Sequence, residues 1–426
     1  RLGVTLTPMG ANPSGNEQHT IPAYTGKIEG APEWVEYKGS GHYYPSAYPD
    51  DKPLFVIDGS NYKKYQANLT DGQLALFAAY PSTFRMPVYP SRRDARYSDF
   101  VHQQVKLNAV QASLAAGGNG VLNSFGPVPF PLPKNGMELI QNNVYAPNMY
   151  ASSGSIATGT VYKNGEILFN KRVEDRYFEI MDPSIPRERF SGLSAQVMLL
   201  TTFPPREKGK VILVHEFADL NDSPRNAWIY QPGTRRVRRA PTIAYDFPDG
   251  PGGLRTVDDA LMFNGATDRF TWIMQGKREL YIPYNNNELD SPAYSYEHLL
   301  TPSHLLPDVM RYELHRCWVL TGELIPGKNH IYSKRKLYLD EDSWSGVLTE
   351  NYNRAGELFR VGMRTMVNLY DMPGMGHRVE LYHDLQNGAY MANGLINEEG
   401  GPPTLKEDKW DSSYFTPATL RQLGKR

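Results

Sequence analysis

The sequence predicts a mainly β protein with additional helices, in which most strands belong to one largely antiparallel sheet. From about residue 155 onward, apolar side chains recur at every second position, which is typical of strands with one face toward a core. These segments follow one another with almost no helical pattern between them, whereas parallel pairs would need crossovers of about a dozen residues or more. The first 150 residues instead show helix signals and repeated prolines. We therefore expect an N-terminal extension of arm and helices over residues 1–150 and a β unit over residues 151–426.

Residues 1–53 predict an ordered but irregular arm. X-Pro steps recur along this stretch, and proline is excluded from helix interiors and central strands. The stretch also contains aromatic residues such as Trp34 and Tyr44, which are scarce in disordered segments. The chain begins at Arg1 rather than at methionine, so we expect that a preceding segment such as a signal peptide has been removed.

Three helices are predicted before residue 150. Thr70 and Gln73 stand at the spacing of a capping box, which marks the start of the first helix. The second is expected over residues 96–116, where apolar residues share one helical face and a Gly-Gly pair follows. The proline-rich stretch 126–133 predicts an extended connector, followed by a short helix over about residues 135–145.

The β region contains two hairpin signals. Trp228 and Tyr230 alternate with Ile229 before the sequence Gln-Pro-Gly-Thr at 231–234, where proline second and glycine third suit a type II turn. Asn-Arg-Ala-Gly at 353–356 predicts a second turn between strands. No internal repeat recurs at a fixed period, which disfavours propellers and solenoids.

Composition excludes several classes of protein. Lys and Arg total 45 against 46 Asp and Glu, and this net charge of −1 is not that of a general nucleic-acid binder. The single Cys317 excludes a disulfide scaffold or a cysteine-rich metal site within one chain. The longest uninterrupted apolar run, residues 74–80, is far shorter than the about twenty residues of a membrane-spanning helix. We expect no nucleic-acid partner, no transmembrane segment, no cofactor and no metal.

Motifs of catalytic chemistry are missing from the sequence, which has no nucleophile elbow, phosphate-binding loop or His-Glu-x-x-His pattern. His215 and Glu216 are adjacent in an alternating strand, so their side chains point to opposite faces, which favours a structural role. The acidic runs 258–259, 340–342 and 398–399 are interpreted as solvated turns, because charged clusters usually face water. The sequence therefore predicts no catalytic residues and a protein that is not an enzyme.

A basic cluster follows the first hairpin turn and contains Arg235, Arg236, Arg238 and Arg239. Side chains alternate between the two faces of a strand, so these four guanidinium groups cannot all be buried. One interpretation is a docking surface for an acidic protein patch or for anionic lipid headgroups. The other is a solvated hairpin whose charges are paired with nearby carboxylates.

Aromatic and apolar strand faces supply the candidate ligand site. Seven residues are candidates for lining a concave apolar cavity: Trp228, Tyr230, Phe270, Trp272, Met274, Tyr312 and Trp318. The same residues are also candidates for packed core beneath the helices, which is the commoner role of apolar strand faces.

Ten stretches resemble one known family, in the same order along nearly the whole chain. They are residues 6–11, 21–26, 51–55, 118–120, 129–136, 227–233, 235–241, 262–265, 311–316 and 338–344. On these stretches the sequence is identified as similar to the domain of unknown function 1329 family, whose members are Gram-negative proteins usually labelled as outer-membrane lipoprotein-sorting-like.

The resemblance implies a periplasmic location and a fold similar to the lipoprotein carriers, which is a strongly curved antiparallel half-barrel with helices across its open side. Family genes often lie near large hydrophobe exporters and outer-membrane proteins, which implies a transport accessory with an inner-membrane exporter or an outer-membrane protein as partner. This chain is more than twice the size of a typical carrier, so its first 150 residues have no counterpart there and are available to fill or cover the cavity.

Three functions remain after these observations. The favoured one is a non-enzymatic periplasmic carrier for a hydrophobic, lipid-like molecule, because helices that cover a curved sheet loosely leave an apolar cleft. The alternative is an interaction module of an envelope complex, in which native side chains fill the cavity. A lipid-ester hydrolase is less favoured, since it needs a nucleophile, a base and an orienting group in one cleft. The volume and lining of the cavity distinguish the first two.

Overall fold

One sixteen-stranded sheet organises the chain. The computed structural model describes residues 1–26, 30–93, 95–240, 244–372, 374–406, 408, 410 and 413–425. Residue 241, the last of the family-like stretch 235–241, and residues 27–29 of the arm lie outside this description. The elements before the long strands are β1 (Phe55–Ile57), α1 (Asp71–Ala79), β2 (Met86–Val88), α2 (Asp99–Gln111), β3 (Ser113–Leu114), β4 (Val121–Leu122) and α3 (Gly136–Val144).

The elements that follow complete the sheet and its coverings. They are β5 (Ala151–Val161), β6 (Ile167–Tyr177), β7 (Leu193–Phe203), β8 (Val211–Phe217), β9 (Asn226–Gln231), β10 (Arg236–Arg239), β11 (Pro248–Asp249), β12 (Arg255–Thr256), β13 (Phe270–Pro283), α4 (Tyr296–Leu299), β14 (Tyr312–Leu324), β15 (Lys334–Asp340), β16 (Gly346–Tyr352), β17 (Leu358–Leu369), β18 (Gly374–Asp384), β19 (Tyr390–Leu395), β20 (Thr404–Leu405) and α5 (Pro417–Leu423). Short 3₁₀ helices occupy Tyr62–Asn68, Ala116–Gly118, Glu179–Met181, Arg187–Arg189, Pro251–Gly253, Val257–Met262, Asn287–Asp290 and Pro307–Val309.

The sheet consists of two antiparallel series that lie side by side. Strands β5 to β10 pair in sequence order, and strands β13 to β19 do the same. The last strand of the second series, β19, pairs with β5, the first strand of the other series, and places Ala392 opposite Gly159. One parallel contact, Tyr312 opposite Val88, adds β2 and with it β1. The predicted mainly β architecture with a mostly antiparallel sheet is confirmed.

The helix signals of the sequence are confirmed, with one change of length. Thr70 caps α1 through its side chain, which accepts a hydrogen bond from the Gln73 backbone amide at 3.2 Å, and the Gln73 side chain accepts one from the Thr70 backbone amide at 3.0 Å. Asn135 caps α3 in the same position. Helix α2 is shorter than predicted because Ser98 caps its start and Ser113 already pairs with a neighbouring strand.

The hairpin of β9 and β10 is confirmed, but the predicted type II turn is wrong. A type II turn requires a positive φ at its third residue, Gly233. The residue with a positive φ is instead Arg235, at 53°, and its amide donates a hydrogen bond to the Gln231 carbonyl at 2.8 Å. The loop therefore has four residues, with the left-handed residue placed last.

Two of the three acidic runs predicted to be solvated turns are buried. Asp258 and Asp259 are at most 1 % exposed, and Arg335, itself fully buried, forms ion pairs with both. The run 340–342 is likewise at most 2 % exposed. Only the run 398–399 reaches the surface. The prediction was wrong because the arginines that neutralise these carboxylates come from distant parts of the chain, which a local charge pattern does not reveal.

The N-terminal region is irregular, as predicted, and packs against the sheet. The described residues before β1 form neither helix nor strand. Met9 and Ile21 of the arm nevertheless belong to the main hydrophobic core, and the Trp344 indole donates a hydrogen bond to the Met9 carbonyl at 2.8 Å. The boundary at residue 150 stays a prediction. In the described part of the chain, no helix is both long enough and apolar enough to cross a membrane.

Candidate functional site

A cavity of about 300 Å³ lies against one face of seven consecutive strands of the sheet. In sheet order these strands are β17, β18, β19, β5, β6, β7 and β8. The covering comes from the end of α3 with the residues that follow it, 144–149, and from the segment between β11 and β13. The cavity is therefore enclosed partly by the first 150 residues, as the sequence suggested, but they do not fill it.

The β7–β8 side of the cavity is an apolar wall. It is formed by two cross-strand pairs, Val197 opposite Val214 and Leu199 opposite Ile212. All four side chains are only half-buried, although they are among the most hydrophobic side-chain types. Their accessible surface faces the cavity, so native side chains leave this wall uncovered. We refer to these four residues as the apolar wall.

The opposite face of the same strands is closed. Met198, Val211 and Leu213 alternate with the wall residues and are at most 1 % exposed, because the C-terminal segment with Phe415 and Leu420 packs over them. Alternate side chains of a strand face opposite sides of a sheet. The two faces of β7 and β8 are thus both apolar; one is closed, and the other keeps accessible surface toward the cavity.

The cavity also has a charged lining. Six arginines contribute to it, four from β6, β17 and β18 and two from the segments that contain β12 and precede β9: Arg172, Arg176, Arg364, Arg378, Arg255 and Arg225. Four carboxylates also contribute to the lining, and three of the closest pairs, Arg172–Glu174, Arg225–Glu216 and Arg255–Glu380, each measure 2.7 Å between nitrogen and oxygen. Cations therefore outnumber anions among the residues that line the cavity.

Glu174 is held ionised in this charged region. Burial by itself would raise the pKa of its carboxyl, but the charges of Arg176 and Arg172 outweigh that effect and lower the pKa to about 2. Arg172 also reaches across the sheet to the Asn393 side chain at 3.0 Å. Ion pairs and hydrogen bonds therefore hold the charged residues around Glu174 in a fixed network.

The seven residues of the sequence-based ligand site lie away from the cavity, and none is among the described residues that line it. Trp228 and Tyr230 pack beneath the C-terminal segment that covers the outer face of β8 and β9. The other five lie in or against the main core: Phe270, Trp272, Met274, Tyr312 and Trp318. Their part in ligand binding stays a prediction. Period-two alternation locates an apolar face, but it does not tell which of two apolar faces is left uncovered.

The wall residues had a signal in the sequence. Val197, Leu199, Ile212 and Val214 occur in two strands whose other face is also apolar, which is unusual for a sheet with one face in water. Both faces of such strands must be covered or must bind something. Without the pairing of β7 with β8, however, the four side chains cannot be placed side by side.

The arginine cluster of the hairpin lies at the protein surface. Arg235, Arg236, Arg238 and Arg239 are all exposed. Strand β10 is an edge of the sheet, so its outer side carries unpaired backbone groups as well. The Arg239 guanidinium contacts the Asn226 side chain. The proposed docking role of these arginines stays a prediction.

His215 and Glu216 point to opposite faces, as predicted. The His215 Nε2 atom lies 3.0 Å from the Phe415 carbonyl under the C-terminal segment. Glu216 faces the cavity and forms an ion pair with Arg225. The contact of each residue is explained by packing and charge pairing, without a metal.

A group of potential metal ligands is buried elsewhere. One ligand atom each from His315, Asp340 and Asp342 lies within 4.8 Å of the others. Both oxygens of Asp342 already accept hydrogen bonds from Arg93, at 2.8 and 2.9 Å. A cation would have to displace this guanidinium, so the group fits an ion-pair network better than a metal centre.

Two sequence comparisons agree on the relationship of this chain. Residues 56–421 match the model of a family described as "Protein of unknown function (DUF1329)". The chain is also 38 % identical over 439 residues to "Uncharacterized protein PA3922" of Pseudomonas aeruginosa, a match that covers 100 % of this chain and 93 % of that protein.

Solved structures show more distant similarity. The crystal structure of a DUF1329 family protein from Desulfovibrio piger gives a TM-score of 0.43 at 12 % identity, covering 64 % of this chain and 92 % of that one. A putative outer membrane lipoprotein-sorting protein domain from Vibrio parahaemolyticus gives 0.44 at 14 % identity, covering 67 % and 98 %. The family assignment rests on the sequence matches. As its ordered stretches predicted, this chain belongs to the DUF1329 family.

Proposed function

We propose that this protein is a non-enzymatic carrier that binds a hydrophobic, lipid-like molecule in the periplasm, as an accessory to envelope transport. The observation that carries the proposal is the apolar wall, whose four side chains face a cavity of about 300 Å³ while the alternate residues of the same strands are sealed. Covering apolar surface yields about 25 cal/mol per Å². A ligand that covers the apolar wall therefore gains binding free energy from surface that stays accessible in the native chain.

The size of the cavity supports a small lipid-like guest. Ligand pockets are typically about 300–1,000 Å³, so this cavity lies at the lower end of the range. A compact single-chain amphiphile suits it better than a molecule with several acyl chains. Opening of the covering segments would cost part of the binding free energy and would admit larger guests.

We further propose that the sheet bends into a half-barrel around the ligand, like that of the lipoprotein carriers. The seven strands that run from β17 to β8 in sheet order are consecutive neighbours. A flat sheet of seven strands would span about 29 Å at the usual strand spacing. All seven contribute to the lining of one cavity of about 300 Å³. A bent sheet brings side chains from both ends of this span together, whereas a flat one does not.

A hydrolase is disfavoured by the lining of the cavity. Ser194 and His377 both line it, from β7 and β18. The hydrogen bonds of the described residues do not connect a serine hydroxyl to the His377 ring, and nucleophilic catalysis requires such a pair. Desolvation, with smaller effects of the neighbouring arginines, also holds the pKa of this imidazole well below its ordinary value.

Displacement of a hydrophobic fluorophore tests the carrier function. We expect saturable binding of the fluorophore, competition by long-chain lipids, and weaker binding to Leu199→Glu, which places a charge on the apolar wall. Leu122→Glu is the matched control, because Leu122 is already 40 % exposed outside the cavity. Saturable binding with which no lipid competes would overturn the proposal, as would equal effects of the two variants.

A second candidate function is supported by the arginine hairpin. Four exposed guanidinium groups on an edge strand suit an interaction module that docks onto an acidic surface of an envelope complex, such as an inner-membrane exporter or an outer-membrane protein. The double variant Arg236→Glu/Arg238→Glu separates the two functions. Docking predicts loss of a co-purified envelope partner with unchanged fluorophore binding, whereas the carrier function alone predicts no change in either.

A further inference from the structure

Arg364 is a buried cation without a close counter-charge. It projects from β17 into the cavity lining, is 3 % exposed, and its Nε atom has no hydrogen-bond partner among the described residues. The nearest carboxylate oxygen belongs to Glu380, at 3.9 Å from Nε. Its Nη1 atom donates one long hydrogen bond, 3.3 Å, to the Gly346 carbonyl. Burial accordingly lowers the pKa of the Arg364 guanidinium.

Glu380 is only a distant counter-charge for Arg364, because both of its oxygens are engaged elsewhere. One of its oxygens accepts from Arg255 at 2.7 Å, and the other accepts from the Leu261 amide at 2.8 Å. Glu380 thus faces two arginines, and the closer ion pair is with Arg255, which also pairs with Asp249 at 2.7 Å. A buried charge with an incomplete set of partners is destabilising, and a ligand that supplies the missing partner relieves that cost.

A second guanidinium of the cavity lining is also incompletely satisfied. Arg378 on β18 donates to Asp290 at 2.7 Å through Nε, but its buried Nη2 atom has no partner among the described residues. Desolvation raises the pKa of the Asp290 carboxyl, against the lowering effect of Arg378. The free Nη2 group belongs to a residue that lines the cavity.

A third guanidinium, that of Arg176, lines the same cavity. Desolvation holds the pKa of the His377 imidazole well below its ordinary value. The charges that add to this effect are those of Arg364, Arg176 and Arg378. Arg176 comes from β6, three strands away from β18 in the sheet, so its side chain approaches the group from another side of the cavity.

We infer that the cavity recognises an amphiphile with an acidic head group, a phosphate or a carboxylate that binds Arg364 and Arg378 while its acyl chain lies on the apolar wall. This inference rests on the proposed carrier function. An oxyanion accepts charge-assisted hydrogen bonds from the donors that are left free, and guanidinium groups bind carboxylates and phosphates in a two-point geometry. A neutral lipid would cover the wall equally well but would leave Arg364 uncompensated.

A series of competitors with one chain and different head groups tests the inference. Hexadecanoate, hexadecyl phosphate and hexadecanol share the same hydrocarbon tail, and inorganic phosphate has no tail. We expect both acids to displace the fluorophore at concentrations at least about tenfold lower than hexadecanol does, which corresponds to about 1.4 kcal/mol. Inorganic phosphate is expected not to displace it. Displacement by inorganic phosphate as effective as that by hexadecyl phosphate would overturn the inference in favour of a free-anion site.

Arg364→Met locates the head-group site, and Arg238→Met on the exposed hairpin is the control for loss of one positive charge. In Arg364→Met we expect affinity for the two acids to fall by about tenfold or more while affinity for hexadecanol stays within about twofold. Without ligand, this variant is expected to unfold at a higher temperature than the wild type, since it lacks an unpaired buried charge. Equal loss of acid and alcohol binding, or an equal effect of Arg238→Met, would overturn the inference.

The two proposals fail in different ways in this experiment. If none of the long-chain compounds displaces the fluorophore, the carrier function itself is wrong. If hexadecanol displaces it as effectively as the acids do, the carrier function stands and only the acidic head group is wrong.

Discussion

Arg93 and Asp342 form a two-point ion pair between segments 249 residues apart in the chain. The Nε and Nη2 atoms of Arg93 donate to the two carboxylate oxygens at 2.8 and 2.9 Å, and both side chains are 1 % exposed. Arg93 also donates to the Asn12 carbonyl at 2.7 Å. One guanidinium therefore fastens the N-terminal arm to the turn between β15 and β16.

We expect Arg93→Met to lower the free energy of unfolding by about 3–5 kcal/mol, because it leaves the buried carboxylate of Asp342 without its cation. Arg85→Met is the matched control, since the Arg85–Asp308 pair is exposed and should contribute about 0–1 kcal/mol. Urea unfolding at pH 7 measures both changes. Equal losses in the two variants would show that the arm is not held by this ion pair.

Glu174 should contribute to stability near neutral pH and lose that contribution in acid. Its pKa falls from 4.5 to about 2 on folding, so the unfolded chain binds the proton more readily. The stabilisation is complete above about pH 4.5 and is lost as the pH falls toward 2; about 1.4 kcal/mol per pKa unit gives about 3 kcal/mol. Glu174→Gln should be less stable than the wild type at pH 7, and the difference should shrink by pH 3.

Urea midpoints at pH 7, 5 and 3 check this expectation. Glu166→Gln serves as the control, because Glu166 is exposed on the turn between β5 and β6. Its curve of stability against pH should run parallel to that of the wild type. A constant difference between Glu174→Gln and the wild type at all three pH values would contradict the linkage.

His383 should make the protein less stable in mild acid. Desolvation, with a smaller effect of His304, lowers the pKa of this buried imidazole from 6.5 to about 3. Below pH 6.5 the unfolded state binds a proton that the folded state does not, so stability falls as the pH falls toward 3. His383→Phe keeps the stacked contact with Tyr390, at 5.4 Å between ring centroids, and removes the titration.

We therefore expect His383→Phe to lose less stability than the wild type between pH 7 and pH 5, as measured by thermal unfolding. Replacement of the exposed His298 by phenylalanine is the control and should leave the pH dependence unchanged. If His383→Phe follows the wild-type pH dependence, the imidazole is protonated in the folded protein and its assignment as a neutral group is wrong.

Packing of α5 on one face of β8 and β9 can be tested independently of the cavity on the opposite face. Leu420 of α5 is fully buried against β8 and β9, and Leu420→Ala should cost about 2–5 kcal/mol of unfolding free energy. Leu423→Ala on the same helix should cost less, because Leu423 is only half-buried. Binding of the fluorophore by the folded fraction should be unchanged in both variants. Loss of binding in Leu420→Ala alone would show that the hydrophobe binds under α5 and not at the apolar wall.

Several features of the fold were predicted correctly because they are local. The capping box of Thr70 and Gln73, the hairpin of β9 and β10 and the expectation that the four arginines cannot all be buried each depend on residues within a few positions of one another. Short-range hydrogen bonds and side-chain alternation determine such features. The turn type was wrong because Arg235 adopts the left-handed conformation that the pattern assigned to glycine.

The candidate site was not predicted because it depends on which surfaces meet. The aromatic residues singled out from the sequence are packed in other places, and the apolar wall consists of ordinary aliphatic residues. Leu199 differs from Met198 because α5 and Phe415 close one face of β7, whereas the other face lines a cavity and Leu199 keeps accessible surface there. The covering segment lies more than 200 residues away in the chain, so local periodicity does not reveal it.

The sequence by itself determined the family, the mainly β class, the antiparallel pairing and the helix starts, because each follows from ordered matches or from short-range chemistry. Only the tertiary structure decided that Asp258 and Asp259 are buried with Arg335, that one face of β7 and β8 lines a cavity, and that the Nε atom of Arg364 has no hydrogen-bond partner among the described residues. The physical reason is that burial and charge pairing are properties of contacts between distant segments. A linear pattern gives the charge and hydrophobicity of each residue, and the fold determines what each residue meets.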